Sequence, residues 1–130
     1  MTGFGLAGHL LEMINASAVS ATVDLDALPL LPGAQETLAQ GFVSSLQAQN
    51  LQAAQAIAHT ATYAHHPVYP LLFDPQTAGG LLAAVPADQA LACLDQLRQQ
   101  GYPAAAIIGE VHPLDKAQVP LSLQSQFPNL

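Results

Sequence analysis

Two short stretches of this chain combine glycines with hydroxyl and acidic side chains in a way that suits anion binding. The first is Thr2-Gly3-Phe4-Gly5. At the start of a helix, such a turn leaves backbone N–H groups without helical partners at the positive end of the helix dipole, a seat for a phosphate. The same glycines serve equally well as a bend chosen for close packing. The second stretch is Asp74-Pro75-Gln76-Thr77-Ala78-Gly79-Gly80. Pro75 fixes its own φ and stiffens the turn, while Gly79 and Gly80 admit positive φ and close backbone approach by a ligand. Asp74 can bind a metal or accept backbone N–H groups. The competing reading is an Asx-type turn between two strands, with Asp74 merely capping it. Residue types alone leave both pairs of readings open.

Other reactive residue types read as structural. His65 and His66 adjoin in an extended segment and so point to opposite sides, with no cysteine or carboxylate nearby at ligand spacing. They are expected to be partly exposed loop histidines, as are His59 and His112. His9 differs only in following the first glycine turn. Cys93 falls on the apolar side of a helix and is expected as a small core residue rather than a nucleophile. No Ser/His/Asp spacing and no Walker-type loop occurs, so neither a catalytic residue nor a metal-ligand set is assigned.

The elements that must position the two turns follow from hydrophobic periodicity. Leu6, Leu10 and Met13, with Leu11 and Ile14 beside them, predict a helix over residues 4–16, capped by the Thr2 hydroxyl. Val19, Ala21, Val23 and Leu25 alternate with Ser20, Thr22, Asp24 and Asp26, which predicts a strand with one wet face. A short helix over 34–40 stops at Gly41. The Ala/Gln-rich stretch 47–61 has helix-forming composition, with Leu51, Ala54, Ile57 and Ala58 on one side. Residues 81–85 read as a buried strand. A helix begins at Pro86-Ala87-Asp88, with Leu91, Leu94 and Leu97 inward and Asp95 and Arg98 outward, and ends at Gly101. Residues 104–111 read as another strand and 119–123 as a last one. The result is an α+β domain over residues 1–124, a mixed β-sheet covered by α-helices. Residues 125–130 form a polar tail expected to be flexible.

Composition excludes several classes of partner. The 130 residues carry a formal net charge of −7, with Arg98 and Lys116 the only fixed cations. A nucleic-acid backbone or an anionic membrane surface needs a basic patch that this chain lacks. Any phosphate must be met by backbone N–H groups, a helix amino terminus or a metal ion. Hydrophobic residues make up 51% and charged residues 8%, against roughly 25% charged in ordinary soluble domains. Part of the surface is therefore expected to be covered by another domain or subunit. The single cysteine fits a reducing, cytoplasmic compartment. No apolar run approaches the roughly 20 residues of a membrane span, and no secretory signal is read.

Three segments together resemble a known family. The run from Thr2-Gly3-Phe4-Gly5-Leu6-Ala7-Gly8-His9 to Met13 resembles the segment that opens the carboxy-terminal domain of selenophosphate synthetase (selenide, water dikinase). Leu72-Phe73-Asp74-Pro75-Gln76-Thr77-Ala78-Gly79-Gly80-Leu81-Leu82 resembles that family's second hallmark, and Ala106-Ile107-Ile108-Gly109-Glu110-Val111 a third, in the same order. The resemblance implies a carboxy-terminal domain like that of aminoimidazole ribonucleotide synthetase. It also implies an enzyme that uses ATP and Mg²⁺ to convert selenide to selenophosphate, and that works as a homodimer. On that reading Thr2, Gly3, Gly5, Asp74, Gln76, Thr77, Gly79 and Gly80 line the phosphate end of an ATP site. The reactive Cys or selenocysteine, the catalytic Lys and most metal-binding Asp residues belong to an amino-terminal ATP-binding domain, and this chain without that domain is expected to be inactive.

Two departures stand out. Position 78 is Ala where the family often has Ser. Residues 44–50 replace a Pro-Gly-Gly-Thr-type loop ending in Arg-Asn; Asn50 keeps the last position and the Arg is absent. These changes keep open a non-catalytic interaction or dimerisation domain of a divergent or fused homologue.

Overall fold

The computed structural model describes residues 1–115 and 117–126. Helix α1 (Gly5–Ser17) buries Leu6, Ala7, Leu10, Leu11 and Ile14 along one stripe. Met13, expected on that stripe, is turned largely to solvent. The helix ends where Ala18 adopts the left-handed region and donates its N–H back to Ile14 and Asn15. Strand β1 (Val19–Asp24) follows, with Ala21 and Val23 buried and the alternating polar positions on the opposite face.

Next come helix α2 (Ala34–Ala39), the single turn α3 (Gln47–Asn50), strand β2 (Ile57–Ala58) and the turn α4 (Thr60–Tyr63). Helix α5 (Ala90–Gln99) and strands β3 (Gly109–Pro113) and β4 (Leu121–Gln124) complete the described chain. The strands form one mixed sheet of order β2-β4-β1-β3. β1 pairs antiparallel with β3 and parallel with β4, and β4 pairs parallel with β2. The α+β mixed-sheet class is therefore the observed one.

The core lies between α1 and the inner face of the sheet. Ala21, Val23 and Leu25 from the β1 arm, Ile57 from β2, and Leu121 and Leu123 from β4 close against α1. Leu72 and Phe73 come from the 3-10 helix Tyr69–Phe73. The outer face carries a polar row across three strands, in which Thr22 Oγ1 lies 3.2 Å from His112 Nε2 and 2.9 Å from Ser122 Oγ.

Several expectations are corrected. Stretch 47–61 is not one helix: after α3 it narrows to the 3-10 helix Leu51–Ala56 and then becomes β2. Ile57 is drawn into the core beside Leu121, and that burial outweighs the helix propensity of the Ala/Gln run. Residues 81–85 form no strand, and Leu81 is 99% exposed; an apolar run becomes a strand only where a sheet edge pairs with it. Of the predicted strand 104–111 only 109–111 lies in the sheet, and β3 runs on to Pro113. α5 forms and ends before Gly101, at φ +98°, as its composition predicts. Its apolar side is nevertheless uncovered, with Leu91 71% exposed and Cys93 only half-buried, so Cys93 is not a core residue.

His66 is buried rather than partly exposed. It lies 3.1 Å from the Asp26 carboxylate and accepts the Val68 N–H. At the start of the expected tail, Ser125 Oγ and the Gln126 N–H both donate to Asp26 Oδ2. Residues 127–130, to which the rest of the flexible-tail expectation applies, lie outside the described residues, as does Lys116.

Candidate functional site

The two glycine turns, far apart in sequence, lie side by side. The Met1 nitrogen donates to Gly80 O (2.8 Å), Gly79 N–H donates to Met1 O (3.0 Å), and Gln76 N–H donates to Thr2 O (3.1 Å). This short ladder ties the start of α1 to the second turn. It needs glycine at two points. Gly5 sits at φ +68°, and a Cβ there would fall 2.8 Å from Leu72 O and 2.9 Å from Phe73 C. A Cβ on Gly79 would fall 2.7 Å from Met1 O.

α1 is not capped by the Thr2 hydroxyl. Phe4 occupies the N-cap position without a side-chain cap bond, and Gly5 N–H is met by Thr2 O at 3.1 Å. Thr2 is instead committed to His9. Its N–H donates to His9 Nε2 (3.0 Å), and its Oγ1 lies 3.0 Å from the same nitrogen. Because a backbone N–H can only donate, Nε2 is the acceptor and the ring proton sits on Nδ1, facing Glu12 Oε2 at 3.3 Å. The ring also meets Phe4 edge-on, with centroids 5.6 Å apart.

Donor availability sorts the expected phosphate ligands. The N–H groups of Gly5, Gln76 and Gly79 are spent within and between the turns. Those of Gly3, Phe4, Thr77, Ala78 and Gly80 have no hydrogen-bond partner among the described residues. Thr2, Thr77 and Gly80 are exposed; Gly3, Asp74, Gln76 and Gly79 are half-buried; Gly5 is buried. Asp74 borders a cleft of about 300 Å³ with Leu31, Thr37, Phe42, Gln47 and Leu71. Loss of hydration among these walls raises its carboxyl above the ordinary value of 3.8.

Residue reading alone did not assign the side chain that joins the turns. Asn50 Nδ2 donates to Gly3 O (2.7 Å) in the first turn and to Phe73 O (3.0 Å) at the mouth of the second. Three residues earlier, the buried Gln47 donates Nε2–H to Pro70 O at 2.9 Å. Amides three apart on α3 thus hold carbonyls three apart on the Tyr69–Phe73 turn. The Gln-x-x-Asn spacing is the signal in the sequence, though it becomes legible only once α3 is known to face that turn. Among the described residues no group of three or more His, Cys, Asp or Glu is arranged to hold a metal ion.

A mixed sheet backed by one long helix, with paired glycine turns at the helix start, defines the class as an α+β domain. Residues 1–121 match the family model described as AIR synthase related protein, C-terminal domain, and the chain belongs to that family. It is similar to "Selenide, water dikinase" of Rhizobium meliloti (strain 1021), 39% identical over 118 residues covering 84% of this chain and 31% of that protein. The protein of the same name from Nitratidesulfovibrio vulgaris is 40% identical over 111 residues, covering 85% and 31%. That from Shewanella sp. (strain ANA-3) is 46% identical over 85 residues, covering 65% and 23%. The chain thus spans about a third of the length of the curated relatives it matches.

Proposed function

We propose that this chain forms the carboxy-terminal wall of the ATP site of a selenophosphate synthetase, which makes selenophosphate from selenide. The observation that carries this reading is the lateral pairing of the two glycine turns. It gathers the unpartnered N–H groups of Gly3, Phe4, Thr77, Ala78 and Gly80 near the amino terminus of α1. Oriented amides at the positive end of a helix suit phosphate oxygens and carry no counter-charge of their own. Thr2, Gly5 and Gln76 shape the seat by pairing with one another and Gly79 by pairing with Met1, and Asp74 marks its edge.

The domain's formal charge of −7 requires most of the triphosphate charge to be balanced by groups from an amino-terminal ATP-binding domain. Magnesium, when bound, would neutralise charge on the phosphates. The reading includes a cytoplasmic homodimer.

The test is reconstitution. This chain alone is expected to show no selenide-dependent ATP consumption, and joining it to the amino-terminal domain is expected to restore consumption together with ATP binding. A joined protein that binds no ATP ends this reading. Light scattering on the joined protein checks the dimer.

The engagement of Gly5, Gln76 and Gly79 amides within and between the turns favours a second reading, in which the turns only brace one another in a non-catalytic interaction domain. Under that reading the joined protein assembles normally but its melting temperature does not respond to ATP.

A further inference from the structure

We infer that Asn50 is a positioning residue for nucleotide phosphate: its side-chain amide fixes the Gly3–Phe4 peptide, whose N–H end faces the anion, and ties it to the segment that enters the second glycine turn. The inference rests on the ATP-site reading above and adds to it a role for a residue in the divergent loop. Both protons of the Asn50 amide are used, one on Gly3 O at 2.7 Å and one on Phe73 O at 3.0 Å. A trans peptide is planar, with its C=O and N–H pointing to opposite sides. Holding Gly3 O toward Asn50 therefore turns the Phe4 N–H away from it. That N–H lies immediately before α1 and has no partner among the described residues.

The second bond holds Phe73 O, at the carboxy-terminal end of the Tyr69–Phe73 turn, where the chain enters Asp74 and the second glycine turn. One side chain thus sets the spacing of two segments that lie 47 positions before it and 23 after it. α3 is a single turn and would be a poor anchor by itself. Gln47, buried and bonded to Pro70 O, holds it in place from the same face. No charge is involved in either bond, because both donor and acceptors are neutral amide groups.

Two substitutions separate this role from a general structural one. Asn50→Ala removes both bonds; Asn50→Asp keeps the shape but sets acceptors against both carbonyls. In the protein joined to its amino-terminal domain, the expected result is an ATP Kd about tenfold weaker for Asn50→Ala and weaker still for Asn50→Asp, with adenosine affinity within about twofold of the parent. Equal losses for ATP and adenosine, or no loss for ATP, would overturn the inference. If the parent protein itself binds no ATP, the ATP-site reading falls separately. Amide hydrogen exchange in this chain then tests the positioning alone: Asn50→Ala is expected to speed exchange at Gln76 and Gly79 about tenfold, leaving Ala21 and Val23 unchanged. Unchanged exchange at Gln76 and Gly79 sinks the positioning role whatever the ligand.

Discussion

Gly5 meets two demands that no other residue satisfies together. Its φ of +68° is unfavourable for any side chain, and the space where a Cβ would project is filled by the backbone of Leu72 and Phe73. Gly5→Ala should cost about 2–4 kcal/mol, read as a fall in the urea midpoint, because strain and overlap add. A change below about 1 kcal/mol would show that the turns are not in contact.

Two carboxylates set opposite pH signatures. Asp26 accepts the Gln126 N–H, Ser125 Oγ–H and the His66 ring, which hold its carboxyl below the ordinary 3.8, against a smaller opposing effect of lost hydration. A lowered folded value means stability present above 3.8 and lost as pH falls through the folded value. Asp26→Asn should therefore lower the melting temperature at neutral pH, with the difference closing in acid. Asp74 has the reverse sign: lost hydration raises its value in the fold, so stability is lost as pH rises from 3.8 through that value. Asp74→Asn should raise the melting temperature at neutral pH and lose the advantage in acid. Melting curves of both variants from acid to neutral pH decide each claim.

The elements show where local preference yields to packing. Residues 47–61 have the composition of a helix, yet only α3 and a 3-10 turn form before the chain straightens into β2. Ile57 is 5% exposed in the core, and its pairing with β4 sets where the helical run stops. The Tyr69–Phe73 turn is equally dependent on its surroundings. Phe73 is fully buried, stacks edge-on with Tyr69 at 5.3 Å, and gives its carbonyl to Asn50. Phe73→Ala should cost about 3–5 kcal/mol, because it opens a cavity under both glycine turns. Denaturant unfolding measures the loss; a cost near 1 kcal/mol would mean the turns do not rest on this residue.

At the scale of the whole molecule, apolar surface is unevenly distributed. One side of the sheet is closed by α1, and within 81–85 Leu82 packs against the core, while Leu81, Leu91 and Ile107 stay exposed. Leu81 is 99% exposed, Leu91 71% and Ile107 43%. Exposed leucines and isoleucine of this kind are candidates for a contact surface or an association hazard. Leu81→Ser should change stability by less than about 0.5 kcal/mol, because nothing in the fold covers that side chain. The same change should reduce self-association of this chain in sedimentation experiments. A stability loss above about 1 kcal/mol would show that Leu81 is packed after all.

The order of apolar and polar residues was enough to specify α1, β1, α2 and α5 as elements, because each carries its own period and its own stop, as with the left-handed Gly41 and Gly101 that close α2 and α5. Glycine at 3, 5, 79 and 80 likewise marked both turns, and the scarcity of fixed cations left any phosphate to be met by backbone N–H groups, a helix amino terminus or a metal ion. What the chain could not declare in advance were relations between distant residues: Asn50 reaching Gly3 and Phe73, Gln76 N–H meeting Thr2 O, His66 buried beside Asp26, and the leucines of α5 left outside. Each depends on which surfaces meet. Burial and hydrogen-bond satisfaction belong to pairs of segments, and a one-dimensional period describes only a segment by itself.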